Sequence, residues 1–82
     1  MAFWDKEREL VKVDKAGTKS SFYSFKKVEK SGRSFIDVRE HFTKADGSIQ
    51  HTAKGMSIPV GMIVDMATAF NDVVELLNNE DI

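Results

Sequence analysis

Asp37, Glu40, His41, Asp46 and His51 are the residues closest to chemistry, all within the segment FIDVREHFTKADGSIQHTAKG. General acid–base work needs two such groups converging in a pocket that shifts their pKa values. Strand alternation disperses them, with Asp37 and His41 on one face and Glu40 on the other. No serine stands beside a base, and there is no cysteine at all, so a nucleophilic site has no starting point. No catalytic residue is assigned, and an enzyme is not expected. The two histidines are ten residues apart across a turn. They could contribute to zinc only with carboxylates, and the simpler reading is two surface histidines, with no metal and no cofactor. SGRS and DGS read as hairpin turns and lack the lysine and threonine of a phosphate loop.

The remaining chemistry is charge beside aromatic faces. Lys26, Lys27, Lys30, Arg33, Arg39 and Lys54 fall on or beside predicted strands, interleaved with Phe22, Tyr23, Phe25, Phe35 and Phe42. Cations follow phosphates, and aromatic faces stack on unpaired bases. Phe22, Phe25 and Phe35 also suit a core. Phe42 ends a strand next to a polar turn, where a core aromatic is less needed.

The chain has 82 residues and a formal net charge of −1. Residues 19–54 carry eight basic and four acidic side chains, whereas residues 55–82 carry five acidic and no basic ones. A near-neutral total therefore covers a basic middle and an acidic end. The length indicates one domain with a thin core. Without cysteine there is no disulfide, which fits a reducing compartment. No apolar run reaches membrane-spanning length, and MAFWDKEREL lacks the apolar centre of a signal peptide. The expectation is a soluble cytoplasmic protein with no membrane partner.

The elements that would position these residues follow from periodicity. Residues 1–8 read as an arm with Phe3 and Trp4 as anchors. Residues 9–14 (ELVKVD) alternate as a short strand, and 21–30 form an aromatic-rich strand closed by the tight turn SGR. SFIDVREHF is the clearest strand: Phe35, Asp37, Arg39 and His41 face one way, Ile36, Val38, Glu40 and Phe42 the other. Asp46-Gly47 marks a turn. Residues 49–58 read as irregular or extended, ending in a short strand from Lys54 to Ile58. From Pro59, Ile63, Met66, Phe70, Val73, Val74 and Leu77 recur at helical spacing, with Ser57 as a possible cap. Met62, Val64, Ala69 and Leu76 widen this stripe beyond one core face. One side could cover the sheet, and the excess suits a second copy of the chain. The class is α+β, an antiparallel sheet followed by one C-terminal helix. Residues 1–8 would be the arm, 9–78 the domain and 79–82 a short acidic tail.

The block from Phe35 to Ile58 resembles the positive cofactor four family of transcriptional coactivators. Ile36-Asp37-Val38-Arg39-Glu40, His41-Phe42, Gly47 and Lys54-Gly55-Met56-Ser57-Ile58 match its strand, aromatic pair, turn and second strand without a gap. The resemblance spans roughly residues 20–77. It implies a curved four-stranded antiparallel sheet followed by one helix, dimerising through the helix, with basic channels for single-stranded or melted DNA. By the resemblance Arg39 matches an arginine on the DNA backbone, Phe42 a base-stacking tryptophan, Lys54 a channel lysine and Arg33 a basic residue after the hairpin. Gln50 and Ala53 stand where the family often has basic residues, Lys30 where it has a stacking aromatic, and His41 where it has tyrosine. A channel leaning more on charge than stacking is implied, with strong salt dependence.

The expected function is therefore non-catalytic, largely sequence-independent single-stranded DNA binding as a homodimer. The DNA-binding residues are Arg33, Arg39 and Lys54 on phosphates, Lys26, Lys27 and Lys30 in support, and Phe42 on a base. RNA is a variant of the same reading. A serine- and lysine-rich extension before the domain is missing, which points to a bacterial or phage member in replication, recombination or transcription. The acidic NNEDI end is either a frayed helix end or a tail recruiting replication or transcription proteins. The alternative function is a small protein–protein interaction module with incidental charge. Alternation sets Arg39 and Phe42 on opposite faces, which a bulge, a strong twist or a wrapped strand would have to reconcile.

Overall fold

The computed structural model describes residues 3–18 and 20–79. Four strands, β1 (Lys6–Asp14), β2 (Ser21–Lys30), β3 (Arg33–Thr43) and β4 (Ile49–Pro59), form one open antiparallel sheet in the order β1-β2-β3-β4. A 3-10 turn (Val60–Met62) leads into helix α1 (Ile63–Asn79). The expected α+β plan of four antiparallel strands and one C-terminal helix is the plan observed.

The tight hairpin between β2 and β3 sets the register of the central strand pair. Ser31 and Gly32 have φ of 52° and 77°, the paired positive values of a type I′ turn, whose twist matches that of the flanking strands. From that turn the β2–β3 ladder runs unbroken from Lys30↔Arg33 to Ser21↔Phe42. One face of these strands thus carries Phe22, Ser24, Lys26, Val28 and Lys30 opposite His41, Arg39, Asp37, Phe35 and Arg33. The other carries Tyr23, Phe25 and Lys27 opposite Glu40, Val38 and Ile36.

Several boundaries differ from the sequence expectation. β1 begins at Lys6 rather than residue 9, because Lys6 pairs with Glu29 and extends the ladder into the arm. β4 is a full strand over 11 residues, held to β3 despite an interruption. Arg39 faces Gly55 while His41 faces His51, so extra β4 residues bulge out between these two pairs. Such a bulge breaks the alternation by which a strand is recognised. At Gly55, with φ of 157°, a Cβ would lie 2.2 Å from the Val38 carbonyl oxygen, so only glycine lets β4 rejoin β3 there. Ser57 does not cap the helix. The residue before the 3-10 turn is Pro59, without a side-chain cap bond, and the Ser57 hydroxyl donates to Asp37 instead.

The core is thin and lies largely under one face. Phe22, Ser24, Val28, Asp37 and His41 are buried on it, and Ile58 is buried on the other. On that second face Val11, Val13, Tyr23 and Met56 stay exposed. α1 does not cover them, contrary to the expectation that one side of its stripe would. No helix residue is buried, and Val64, Phe70, Val73, Val74, Leu76 and Leu77 are all exposed.

Candidate nucleic-acid interface

A groove of ≈ 870 Å³ runs across the face that holds Lys26, Asp37, Arg39 and His41. Strand pairing places these side chains: Lys26 lies opposite Asp37, Ser24 opposite Arg39 and Phe22 opposite His41. Arg39 is the organised cation. Its Nε and Nη2 donate to the two oxygens of Asp37 at 3.2 and 3.0 Å, and Nη1 donates to the Thr52 carbonyl at 3.3 Å. The planar guanidinium matches a carboxylate in this two-point geometry. The Ser57 hydroxyl adds a third donor to Asp37 at 2.8 Å.

Burial by itself would raise the Asp37 carboxyl. The hydrogen bonds from Arg39 and Ser57, with the charges of Arg39 and Lys26, outweigh it and hold the group below its ordinary value. Arg39 is shifted upward chiefly by its hydrogen bond to Asp37. The pair is thus charged on both sides across the neutral range, with Arg39 partly open to the groove at 23% side-chain exposure.

The other cations are held more loosely. Lys26 lies 4.0 Å from Glu7. Lys30 donates to the Phe3 carbonyl at 2.7 Å and sits 4.0 Å over the Phe3 ring. Arg33 is exposed at the hairpin. Lys12, which the sequence reading left out, stands 4.2 Å over the Phe22 ring on this same face.

β1 brings acids to this face as well. Glu9 accepts from the buried Ser24 hydroxyl at 2.6 Å, and Glu7 and Asp14 pair opposite Val28 and Phe22. The surplus of positive charge in residues 19–54 therefore becomes a mixed face, with anions along the β1 edge.

Of the residues expected to bind DNA, Lys26, Lys30, Arg33 and Arg39 come together on the groove face. Lys54 is exposed in the β4 bulge. Its backbone N–H donates to the Thr52 hydroxyl, which in turn donates to the Glu40 carbonyl at 2.9 Å. Lys27 and Phe42 lie on the opposite face, Lys27 across from Ile36 and Phe42 across from Ser21 and Gln50. The bulge does not reconcile Phe42 with Arg39, because it lies in β4 and leaves the β2–β3 ladder intact.

His41 is no surface histidine. It is 5% exposed and stacks on Phe22 with centroids 5.4 Å apart. His51 meets it edge-on at 6.1 Å. Among the described residues, neither ring nitrogen of His41 has a hydrogen-bond partner. Burial, then the neighbouring Lys26 and His51, push its pKa below the usual value. The described residues hold no group of three or more metal-ligating side chains.

The arm contributes more than the sequence indicated. Trp4 lies 6.1 Å from Phe35 and Phe3 4.7 Å from Trp4, and both arm residues line the groove. Extension of β1 back to Lys6 carries the arm against the hairpin, and the all-charged KERE gives no apolar alternation that would have signalled it.

Scanned against known protein families and against curated proteins, the chain matches none. Among solved structures it is similar to a PC4 homolog from Burkholderia pseudomallei, with a TM-score of 0.76 and 18% identity. The match covers 89% of this chain and 96% of that one. The chain has a PC4-like fold: an open four-stranded antiparallel sheet followed by one C-terminal helix.

Proposed function

We propose that this protein binds single-stranded nucleic acid, DNA in the first instance, without catalysis and largely without reading sequence. The observation that carries the reading is the placement of Lys26, Lys30, Arg33 and Arg39 on one face of an open sheet, Lys26 and Arg39 lining a groove that also holds aromatic rings and Lys30 and Arg33 lining the cleft beside it. Cations on a backbone track beside stacking surfaces suit any base sequence. The PC4-like fold supports the same reading, as does the family resemblance of the block from Phe35 to Ile58.

In this account Arg39 is oriented by Asp37, so its guanidinium meets a phosphate without being ordered first. Lys54 reaches the strand from the bulge. Phe42 takes part only with a strand that wraps over the end of β3, and Lys27, opposite Ile36, faces away from the groove. The functional unit is a homodimer joined through α1, since among the described residues nothing buries its open apolar stripe. A bacterial or phage role in replication, recombination or transcription is the proposed setting, with partner proteins at the acidic tail; residues 80–82 of that tail lie outside the described residues.

A second reading, a protein-interaction module, draws on the anions beside the groove and the apolar opposite face. Salt separates the two. Fluorescence anisotropy of a labelled single-stranded oligonucleotide, with duplex as competitor, is the test. The four cations of the groove face and Lys54 give a log–log salt slope of up to about −3.5 per protomer at roughly 0.7 per phosphate neutralised. A slope of that order, weaker binding by Arg39→Ala and poor competition by duplex support the proposal. No binding at low salt overturns it.

A further inference from the structure

We propose that Trp4, Phe35 and Phe3 form a stacking site for one unpaired nucleobase at the hairpin end of the groove, an inference that rests on the single-strand reading above. The three rings border an open cleft of ≈ 480 Å³ together with Lys30, Arg33 and Ser57. This lies within the size range of small-ligand sites. Trp4 and Phe35 are tilted at 40° and 6.1 Å apart, so their faces are not closed against each other.

A packing role alone would hide the arm, yet Phe3 is 66% exposed and Trp4 is partly open. The arm is nonetheless tied down. Asp5 N–H donates to the Glu29 carbonyl at 2.8 Å, Ser31 N–H donates to the Asp5 carboxylate at 2.9 Å, and Lys30 holds the Phe3 carbonyl. Exposed aromatic area on a fixed backbone binds without a large ordering cost.

Charge fits the same occupant. Arg33 and Lys30 flank the cleft, where they meet the phosphates on either side of a stacked base, and the cleft shares Phe3, Trp4 and Ser57 with the larger groove. A strand following Arg39 along the groove therefore arrives at Trp4. Phe42 cannot serve this path, because it points from the other side of the sheet.

Trp4 is the single tryptophan of the chain, so its fluorescence reports on this site alone. The full-length protein is titrated with oligothymidylate and with the same backbone carrying abasic sites throughout, following anisotropy and Trp4 emission together. Stacking quenches Trp4 on oligothymidylate and not on the abasic strand. Trp4→Ala weakens oligothymidylate binding about tenfold, within the range of one stacked base, and Trp4→Phe weakens it less. Abasic binding is the same for all three proteins, and unchanged far-UV circular dichroism shows that each is folded.

Normal binding without quenching, with Trp4→Ala unaffected, overturns the stacking site and leaves the single-strand reading standing. An equal loss on abasic and oligothymidylate strands also overturns it, because the arm then acts without a base. Absence of wild-type binding at low salt overturns both.

Discussion

Asp37→Asn separates what the groove needs for stability from what it needs for binding. The carboxylate is 4% exposed as a side chain and receives Nε and Nη2 of Arg39 and the hydroxyl of Ser57. An asparagine of the same shape keeps one oxygen for Nη2 and Ser57 and turns an amide N–H₂ towards Arg39 Nε. One charge-assisted hydrogen bond is lost, and a partly buried guanidinium loses its counter-charge. Relief of the carboxylate's own burial cost offsets part of this, leaving a loss of about 2 kcal/mol. Urea unfolding at fixed protein concentration measures it. The folded pKa of Asp37 lies below its ordinary value of 3.8. Its contribution is therefore complete above pH 3.8 and lost as pH falls through the folded value. The difference between wild type and variant should stand at pH 7 and shrink below pH 3.8. Binding should respond differently: the groove gains one net positive charge, so the log–log salt slope steepens by up to about 0.7, while the weaker orientation of Arg39 offsets the gain in single-strand affinity. A stability loss under about 0.5 kcal/mol, or one that persists unchanged at low pH, would refute the pair as the organiser of the groove.

Gly55→Ala should destabilise by about 3 kcal/mol or more, because its Cβ would collide with the Val38 carbonyl and the Arg39 Cα, and thermal unfolding reads the effect directly. His41, buried with a lowered pKa, binds a proton more weakly folded than unfolded. Stability should be complete above about pH 6.5 and fall as pH drops from there; His41→Phe should flatten that part of the urea-unfolding profile. Phe70→Asp places a charge on the open helix stripe, and analytical ultracentrifugation should show dimerisation weakened by about 100-fold or more. Unchanged sedimentation would remove α1 from the proposed interface.

The fold was legible wherever a local signal matched its element. The alternation of Ser34–Phe42 predicted which side chains share a face, Ser31-Gly32 predicted the tight turn, and the spacing from Ile63 to Leu77 predicted the helix. These are short-range properties, fixed by the period of two in a strand and 3.6 in a helix. β4 was harder to read because its bulge interrupts that period, and its cause, the close approach of Gly55 to Val38, involves residues distant in sequence.

The site divides in the same way. Residue types and alternation placed Arg39 with Asp37 and set Phe42 apart from them, before any pairing was known. Only the tertiary structure brought Glu7, Glu9 and Asp14 alongside the cations, since charge counted along the chain carries no record of which strands become neighbours. It also carried Trp4 from the arm to Phe35, a contact made by the β1–β2 register and the hydrogen bonds of Asp5. Local periodicity was enough to read the four-strand and helix plan, and composition to read the cations available to it. Cross-strand register determined how those cations are balanced and which aromatic rings stand beside them, because pairing across the sheet depends on the whole ladder rather than on any one segment.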